Sequence, residues 1–218
     1  IGYLKIEEFA RKTDEEFDAA LDSLESQGLE GLIIDLRNNP GGMLESAVEI
    51  VGQFLDKGTP IVEIRSRQKR QPEILRSRNR NRASAYPLVI LQNRGSASAS
   101  EIVAGSLRST EKAIILGEPS YGKGSVQSIF ALSNGEGLRM TTAHYYFPDG
   151  SSIEEGVGLK PDIEVELSTQ EAYQLRLQEF HRDMLDDEAF EKRFGVEPIE
   201  DRQLKEAIQY LRRLELRS

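Results

Sequence analysis

Two segments of this chain carry residues that could do covalent chemistry. Asn93-Arg94-Gly95-Ser96-Ala97-Ser98-Ala99-Ser100-Glu101 offers three hydroxyls among small neighbours. Gly117-Glu118-Pro119-Ser120-Tyr121-Gly122-Lys123-Gly124-Ser125-Val126-Gln127, twenty-five residues further on, offers a lysine between two glycines. A serine hydroxyl is a weak nucleophile until a base takes its proton, and a lysine can be that base where its surroundings keep it neutral. An unperturbed lysine titrates near pH ~10.4, so a lysine in this role must be desolvated. In strand geometry Lys123, Ser125 and Gln127 share one face, because side chains alternate. Gln127 could then orient the amine without adding a charge that would hold the ammonium form. The combination points to an enzyme.

An acyl-transfer site also needs donors for a developing oxyanion. A serine at a strand-to-helix turn exposes its hydroxyl near the positive end of the helix dipole, and the N–H after it can aim at that oxygen. The turn Asn38-Asn39-Pro40-Gly41-Gly42 ends another buried strand, where α/β proteins collect ligands, and could supply a second N–H. Removing one such donor typically costs about a hundred- to a thousand-fold in rate.

Other chemistries fit less well. Gly117 to Lys123 matches most of a phosphate-binding loop, Gly-x-x-x-x-Gly-Lys-Ser/Thr, but Gly124 stands at the hydroxyl position and strand-like sequence follows instead of a helix. The chain has two histidines. His144 lies in a long strand beside Tyr145 and Tyr146, and His181 lies in a charged tail, so neither is read as a base. Histidines and carboxylates show no metal-ligand spacing, and no metal or cofactor is expected. The absence of cysteine excludes disulfides and thiolate catalysis.

The surrounding elements follow from periodicity. Thr13-Asp14-Glu15-Glu16 reads as a capping box opening a helix that ends at Gly28. Gly31 to Arg37, Ile61 to Ile64, Leu88 to Leu91 and Ala113 to Leu116 read as strands, and Met43 to Leu55 and Ile102 to Leu107 as helices. From Ser125 the period shifts towards two, with turns at Asn134-Gly135 and Pro148-Asp149-Gly150. Thr169 onward is charged helical sequence with Leu204, Ile208, Leu211 and Leu214 at helical spacing, an amphipathic arm for packing or dimerisation. The expectation is an α/β core with a β-rich portion over residues 1–167 and a helical segment over 168–218.

The 218 residues, 38% hydrophobic, suffice for a buried core, and no apolar run is long enough to span a membrane. The opening Ile1-Gly2-Tyr3-Leu4-Lys5-Ile6 reads as a strand already under way, so the chain is taken as part of a longer protein. A net charge of −9 argues against a general nucleic-acid role. Residues 65–82 hold eight Lys or Arg and one acid, Glu73, yet no interleaved aromatic for base stacking, and are read as a solvated hairpin or loop.

Four motifs resemble the carboxyl-terminal processing proteases, also called tail-specific proteases. Asp35-Leu36-Arg37-Asn38-Asn39-Pro40-Gly41-Gly42 is similar to that family's glycine turn and Gly95-Ser96-Ala97-Ser98-Ala99-Ser100-Glu101-Ile102 to its nucleophile segment. Tyr121-Gly122-Lys123-Gly124-Ser125-Val126-Gln127 is similar to its base segment, and Gly156-Val157-Gly158-Leu159-Lys160-Pro161-Asp162 to the stretch closing its core. The resemblance, covering roughly Ile1 to Leu167, implies Ser98 as nucleophile, Lys123 as base and Gln127 as the supporting amide. It places the oxyanion hole on the backbone of Ala99 and of Gly41 or Gly42. It implies a ClpP/crotonase-like core of β-β-α units with a smaller β portion, a serine endopeptidase cutting polypeptides near their C-termini, and a periplasmic, extracytoplasmic or organelle-lumen location. Members usually carry an upstream PDZ domain, expected here in the full-length protein, and their terminal helices often build homo-oligomers. The competing readings are a non-catalytic scaffold of the same fold and a crotonase-like acyl-thioester enzyme.

Overall fold

The computed structural model describes residues 1–66, 71–78, 86–181 and 184–215. In chain order the elements are β1 (Gly2–Lys5), α1 (Thr13–Ser26), β2 (Leu32–Asp35), α2 (Leu44–Gly52), β3 (Pro60–Ser66), β4 (Glu73–Arg76), β5 (Leu88–Gln92), α3 (Ala99–Ser109), β6 (Ala113–Gly117), β7 (Ser125–Ala131), β8 (Gly137–Tyr146), β9 (Ile163–Glu164), α4 (Thr169–His181), α5 (Asp187–Phe194) and α6 (Arg202–Glu215). They form a parallel sheet in the order β1-β2-β5-β6-β9 and an antiparallel sheet in the order β4-β3-β8-β7. The expected α/β core, smaller β-rich portion and helical arm are all present.

The parallel sheet explains why β2 and β5 are apolar at every second residue on both faces. All residues of β2 and β5 are buried, as parallel strands covered on two sides must be. Leu32, Ile34, Leu88 and Ile90 point into the main core with Phe9, Phe17, Ile50, Phe54 and Leu107. Their alternates Ile33, Val89 and Leu91 point the other way, joined by Leu116, and are covered by Ala207 and Leu211 of α6. The C-terminal arm therefore packs within the chain, as the second cover of the sheet.

A polar latch fixes that arm. Arg37, just past β2, holds Asp35 through its Nε (3.0 Å to Oδ1) and Nη2 (2.6 Å to Oδ2). Its Nη1 reaches Asp201 and Gln203 ahead of and within α6. Burial opposes the Arg37 charge, but the Asp35 and Asp201 carboxylates more than offset it and raise its pKa. Tyr3 donates its hydroxyl to Asp35 Oδ2 at 2.7 Å. Burial, then the Asp35 charge, raises that phenol well above the ordinary tyrosine value.

One local expectation differs. Thr13 is the first residue of α1 and not its cap. Its hydroxyl is engaged by the preceding loop, accepting from Ala10 N–H and donating to Glu8 O, so no capping box forms. Within the basic stretch, Glu73–Arg76 is a strand paired antiparallel to β3, while residues 67–70 and 79–82 lie outside the described ones.

If α6 is integral to the core, Leu211→Ala lowers unfolding free energy by about 2–5 kcal/mol, read by urea denaturation. An unchanged midpoint would mean that the arm is dispensable. The raised Tyr3 phenol gives stability that is complete below the ordinary tyrosine pKa of ~10 and lost as pH rises above it, since the unfolded chain ionises first. A thermal-melt series across alkaline pH should show this decline, and Tyr3→Phe should flatten it.

Candidate active site

The three candidate serines separate by their partners. Ser96 is buried, its hydroxyl donating to Leu36 O at 2.8 Å and accepting from Asn93 N–H. Ser100 is buried and donates to Asn39 O at 2.9 Å. Ser98 is half-buried, and among the described residues its hydroxyl donates to no carbonyl. It stands immediately before α3 with φ +57 and ψ −112, a conformation L residues rarely adopt and which costs on the order of 1–3 kcal/mol. A strained turn at a helix N-terminus presents the hydroxyl outward over the positive end of the dipole.

What holds this turn is Glu101, one turn into α3 and fully buried. Its Oε2 accepts the Ser98 N–H and the Lys123 N–H, both at 2.8 Å. Its Oε1 accepts the Gly122 N–H at 2.7 Å and the Ser120 hydroxyl at 2.5 Å. Ser120 Oγ in turn accepts the Leu159 N–H at 2.7 Å. A single carboxylate oxygen thus joins the backbone of Ser98 to the backbone of Lys123. A buried carboxylate is expensive unless its lone pairs are filled, and here four donors fill them.

The glycine turn meets the same point. A Cβ on Gly41 would lie 2.8 Å from Ser98 Cβ and 3.0 Å from Ala99 N, so only glycine fits beside Ser98. Asn39 locks this approach. Its carbonyl accepts Ala97 N–H and the Ser100 hydroxyl, its Oδ1 accepts the Gly41 N–H at 2.8 Å, and its Nδ2 donates to Ile6 O at 2.7 Å. The Gly41 N–H is therefore occupied. The N–H groups of Gly42 and Ala99 have no acceptor among the described residues.

Lys123 is half-buried and, among the described residues, no carboxylate pairs with it. Its flanking glycines are needed for close approach to the loop of residues 153–158: a Cβ on Gly122 would lie 2.6 Å from Glu154 O, and one on Gly124 2.4 Å from Ile153 O. The expected strand alternation from Lys123 to Gln127 is interrupted, because β7 begins only at Ser125 and its register with β8 shifts between Val126 and Gln127. Gln127 is exposed, and no hydrogen bond joins it to Lys123 or joins Lys123 to Ser98 Oγ among the described residues. Hydrogen bonds of this kind tighten when substrate is bound. The two histidines are elsewhere: His144 is exposed on β8, and His181 lies between the rings of Phe180 and Phe194. No group of three or more His, Asp or Glu with metal-binding placement occurs among the described residues.

A strained serine at a helix start, joined through one carboxylate to a glycine-flanked lysine and approached by a glycine turn, makes up the candidate site of this α/β fold. The chain belongs to Peptidase family S41, whose family model matches residues 1–165. It is 43% identical over 177 residues to a carboxy-terminal-processing protease of Bartonella bacilliformis, an alignment covering 79% of this chain and 40% of that protein. It is 42% identical over 166 residues to a carboxyl-terminal-processing protease of Synechocystis, covering 76% and 38%. The solved photosystem II D1 C-terminal processing protease superposes with a TM-score of 0.69 at 36% identity, covering 75% of this chain and 42% of that one. The chain thus spans about 40% of the length of the curated relatives it matches.

Glu101, Asn39 and Ser120 carry the site's scaffolding, yet sequence reasoning gave them no role. The signal for Glu101 was there: Ser98-x-x-Glu101 is the spacing of a capping box. Glu101→Gln keeps the shape but turns an amide NH₂ towards backbone donors. It should shift the ¹⁵N–¹H amide resonances of Ser98 and Lys123 together and lower stability by about 1–3 kcal/mol. Movement of one amide without the other would break the proposed link between the two segments.

Proposed function

We propose that this chain is the catalytic core of a serine endopeptidase that cleaves polypeptides near their C-termini. The observation that carries the reading is the shared Glu101 oxygen, which ties the Ser98 turn to the Lys123 loop in a chain of a peptidase family. Ser98 Oγ attacks the scissile carbonyl as neutral Lys123 takes its proton. The tetrahedral oxyanion is met by the N–H groups of Ala99 and Gly42. Gly41, its own N–H held by Asn39, supplies the close approach between them. Collapse breaks the C–N bond, Lys123 returns the proton to the leaving amine, and the acyl group stays on Ser98. Lys123 then takes a proton from water as the water attacks the ester, and returns it to Ser98 Oγ as the carboxylic acid product leaves. Gln127 steadies the Lys123 amine once substrate orders the start of β7.

The cut near a C-terminus is brought from the names of the relatives, while an upstream peptide-capturing domain in the full-length protein and an extracytoplasmic or organelle-lumen location are what the resemblance of the four motifs implies. Two of the relatives are named as chloroplastic peptidases. Among the described residues no helix is long and apolar enough to cross a membrane. Self-association through the C-terminal helices would use α4, where Tyr173 and Phe180 are exposed, since α6 faces the sheet.

Ser98→Ala and Lys123→Ala should each abolish cleavage of an unfolded polypeptide while leaving the circular dichroism spectrum and melting point in place. Gln127→Ala should slow turnover less severely. Undiminished hydrolysis by either of the first two purified variants would sink the Ser98–Lys123 assignment.

A further inference from the structure

β7 begins two residues after Lys123 and is the edge strand of the antiparallel sheet, with β8 on one side and no strand on the other among the described residues. Its sequence, Ser125-Val126-Gln127-Ser128-Ile129-Phe130-Ala131, contains no charge and no proline. That is unusual, because edge strands invite pairing with any extended chain and are normally blunted by charged residues, prolines or bulges. The opposite edge of the same sheet, β4, follows the rule with Glu73 and Arg76. The shift in register on β7 lies at its start, between Val126 and Gln127, and leaves the following residues regular.

The direction of the open backbone groups can be read from the pairing. Leu132 donates its N–H to Glu136 O across the hairpin, so Leu132 faces β8, and with it Phe130 and Ser128. Gln127, Ile129 and Ala131 therefore turn their N–H and C=O groups outward. This is a row about 14 Å long at ~3.4 Å per residue, leading away from the catalytic lysine. The side chains along it are apolar and exposed: Ile129 is 76% exposed, and Phe130, Leu132, Leu138 and Met140 all lie open on the hairpin. Ser128 opposes Met140 and Phe130 opposes Leu138, so Phe130, Leu138 and Met140 share one face.

From this we infer that β7 receives the polypeptide substrate as an added strand, threading it past Lys123 towards Ser98. The inference rests on the peptidase reading above and names how that site holds its substrate. A row of alternating main-chain donors and acceptors is matched as a row only by another extended backbone. Its continuity with the base loop identifies that backbone as the one being cut. The face of Phe130, Leu138 and Met140 is neutral and apolar and favours apolar substrate side chains, while Arg139 opposite Ile129 makes the other face basic.

The test begins with the 218-residue chain and reduced, unfolded β-casein, whose fastest-cut bond is located by mass spectrometry. A synthetic peptide of about twelve residues spanning that bond is then N-methylated one position at a time. Strand addition predicts losses of about three- to tenfold in kcat/KM at every second residue over about four positions on one side of the bond, from loss of single main-chain hydrogen bonds. Ile129→Pro, which removes an outward N–H, should raise KM about tenfold or more. Losses without alternation, or a parental KM in Ile129→Pro, overturn strand addition and leave the peptidase reading standing. Failure of the parent chain to cut any polypeptide overturns both. A concentration-dependent dimer abolished by Ile129→Pro would assign the edge to a second copy and overturn the substrate role.

Discussion

The site depends on a buried carboxylate. Glu101 has no solvent contact, and each of its four hydrogen bonds goes to a different part of the candidate site: the strained turn at Ser98, the glycine before Lys123, Lys123 itself, and Ser120. Hydrogen bonds to a charged group contribute on the order of 1.5–3 kcal/mol each. Together they can offset both the desolvation of the carboxylate and the backbone strain of Ser98. Glu101 holds Lys123 by its main-chain N–H, and among the described residues no carboxylate pairs with the lysine side chain.

The rest of the fold converges on that point from three directions. The parallel sheet delivers the ends of β2, β5 and β6 side by side, and the segments that follow them are the glycine turn, the nucleophile segment and the base loop. Asn39 ties the first to the second through Ala97 and Ser100. Glu101 ties the second to the third. The closing stretch is drawn in through Ser120 to Leu159 and through Gln92, whose Nε2 reaches both Glu118 O and Leu159 O. On the far side of the sheet, α6 and the Asp35–Arg37–Asp201 latch steady the strand from which the glycine turn departs. Residues 201–215 therefore bear on the same strand end as the turn, although the family match stops at residue 165.

Much of this was legible from residue type and spacing. Apolar runs at 31–37, 88–91 and 113–116 gave the sheet, and the small-residue and glycine-rich segments after them gave the location of the site, because a strand end followed by glycines can only turn. The choice of Ser98 over Ser96 and Ser100 was not available from the residues alone, since all three share the same small neighbours. The structure adds that Ser96 and Ser100 donate their hydroxyls to the Leu36 and Asn39 carbonyls, which supports the proposal of Ser98 without testing it. Thr13 shows the opposite limit. Its capping-box spacing was correct but a loop eight to ten residues into the chain captured the hydroxyl first. The Gln127 alternation rested on an unbroken strand, and a register shift cannot be seen in a pattern of residue types.

The central claim is that Ser98 is the nucleophile and Lys123 its base. It is tested most directly by treating the chain with a small serine-directed acylating probe and mapping the adduct by mass spectrometry, in the parent and in Lys123→Met. The account predicts one adduct, on Ser98, forming faster as pH rises and essentially absent without Lys123. Labelling at Ser96, Ser100 or Ser120, or labelling of Ser98 at the parent rate in Lys123→Met, would contradict it.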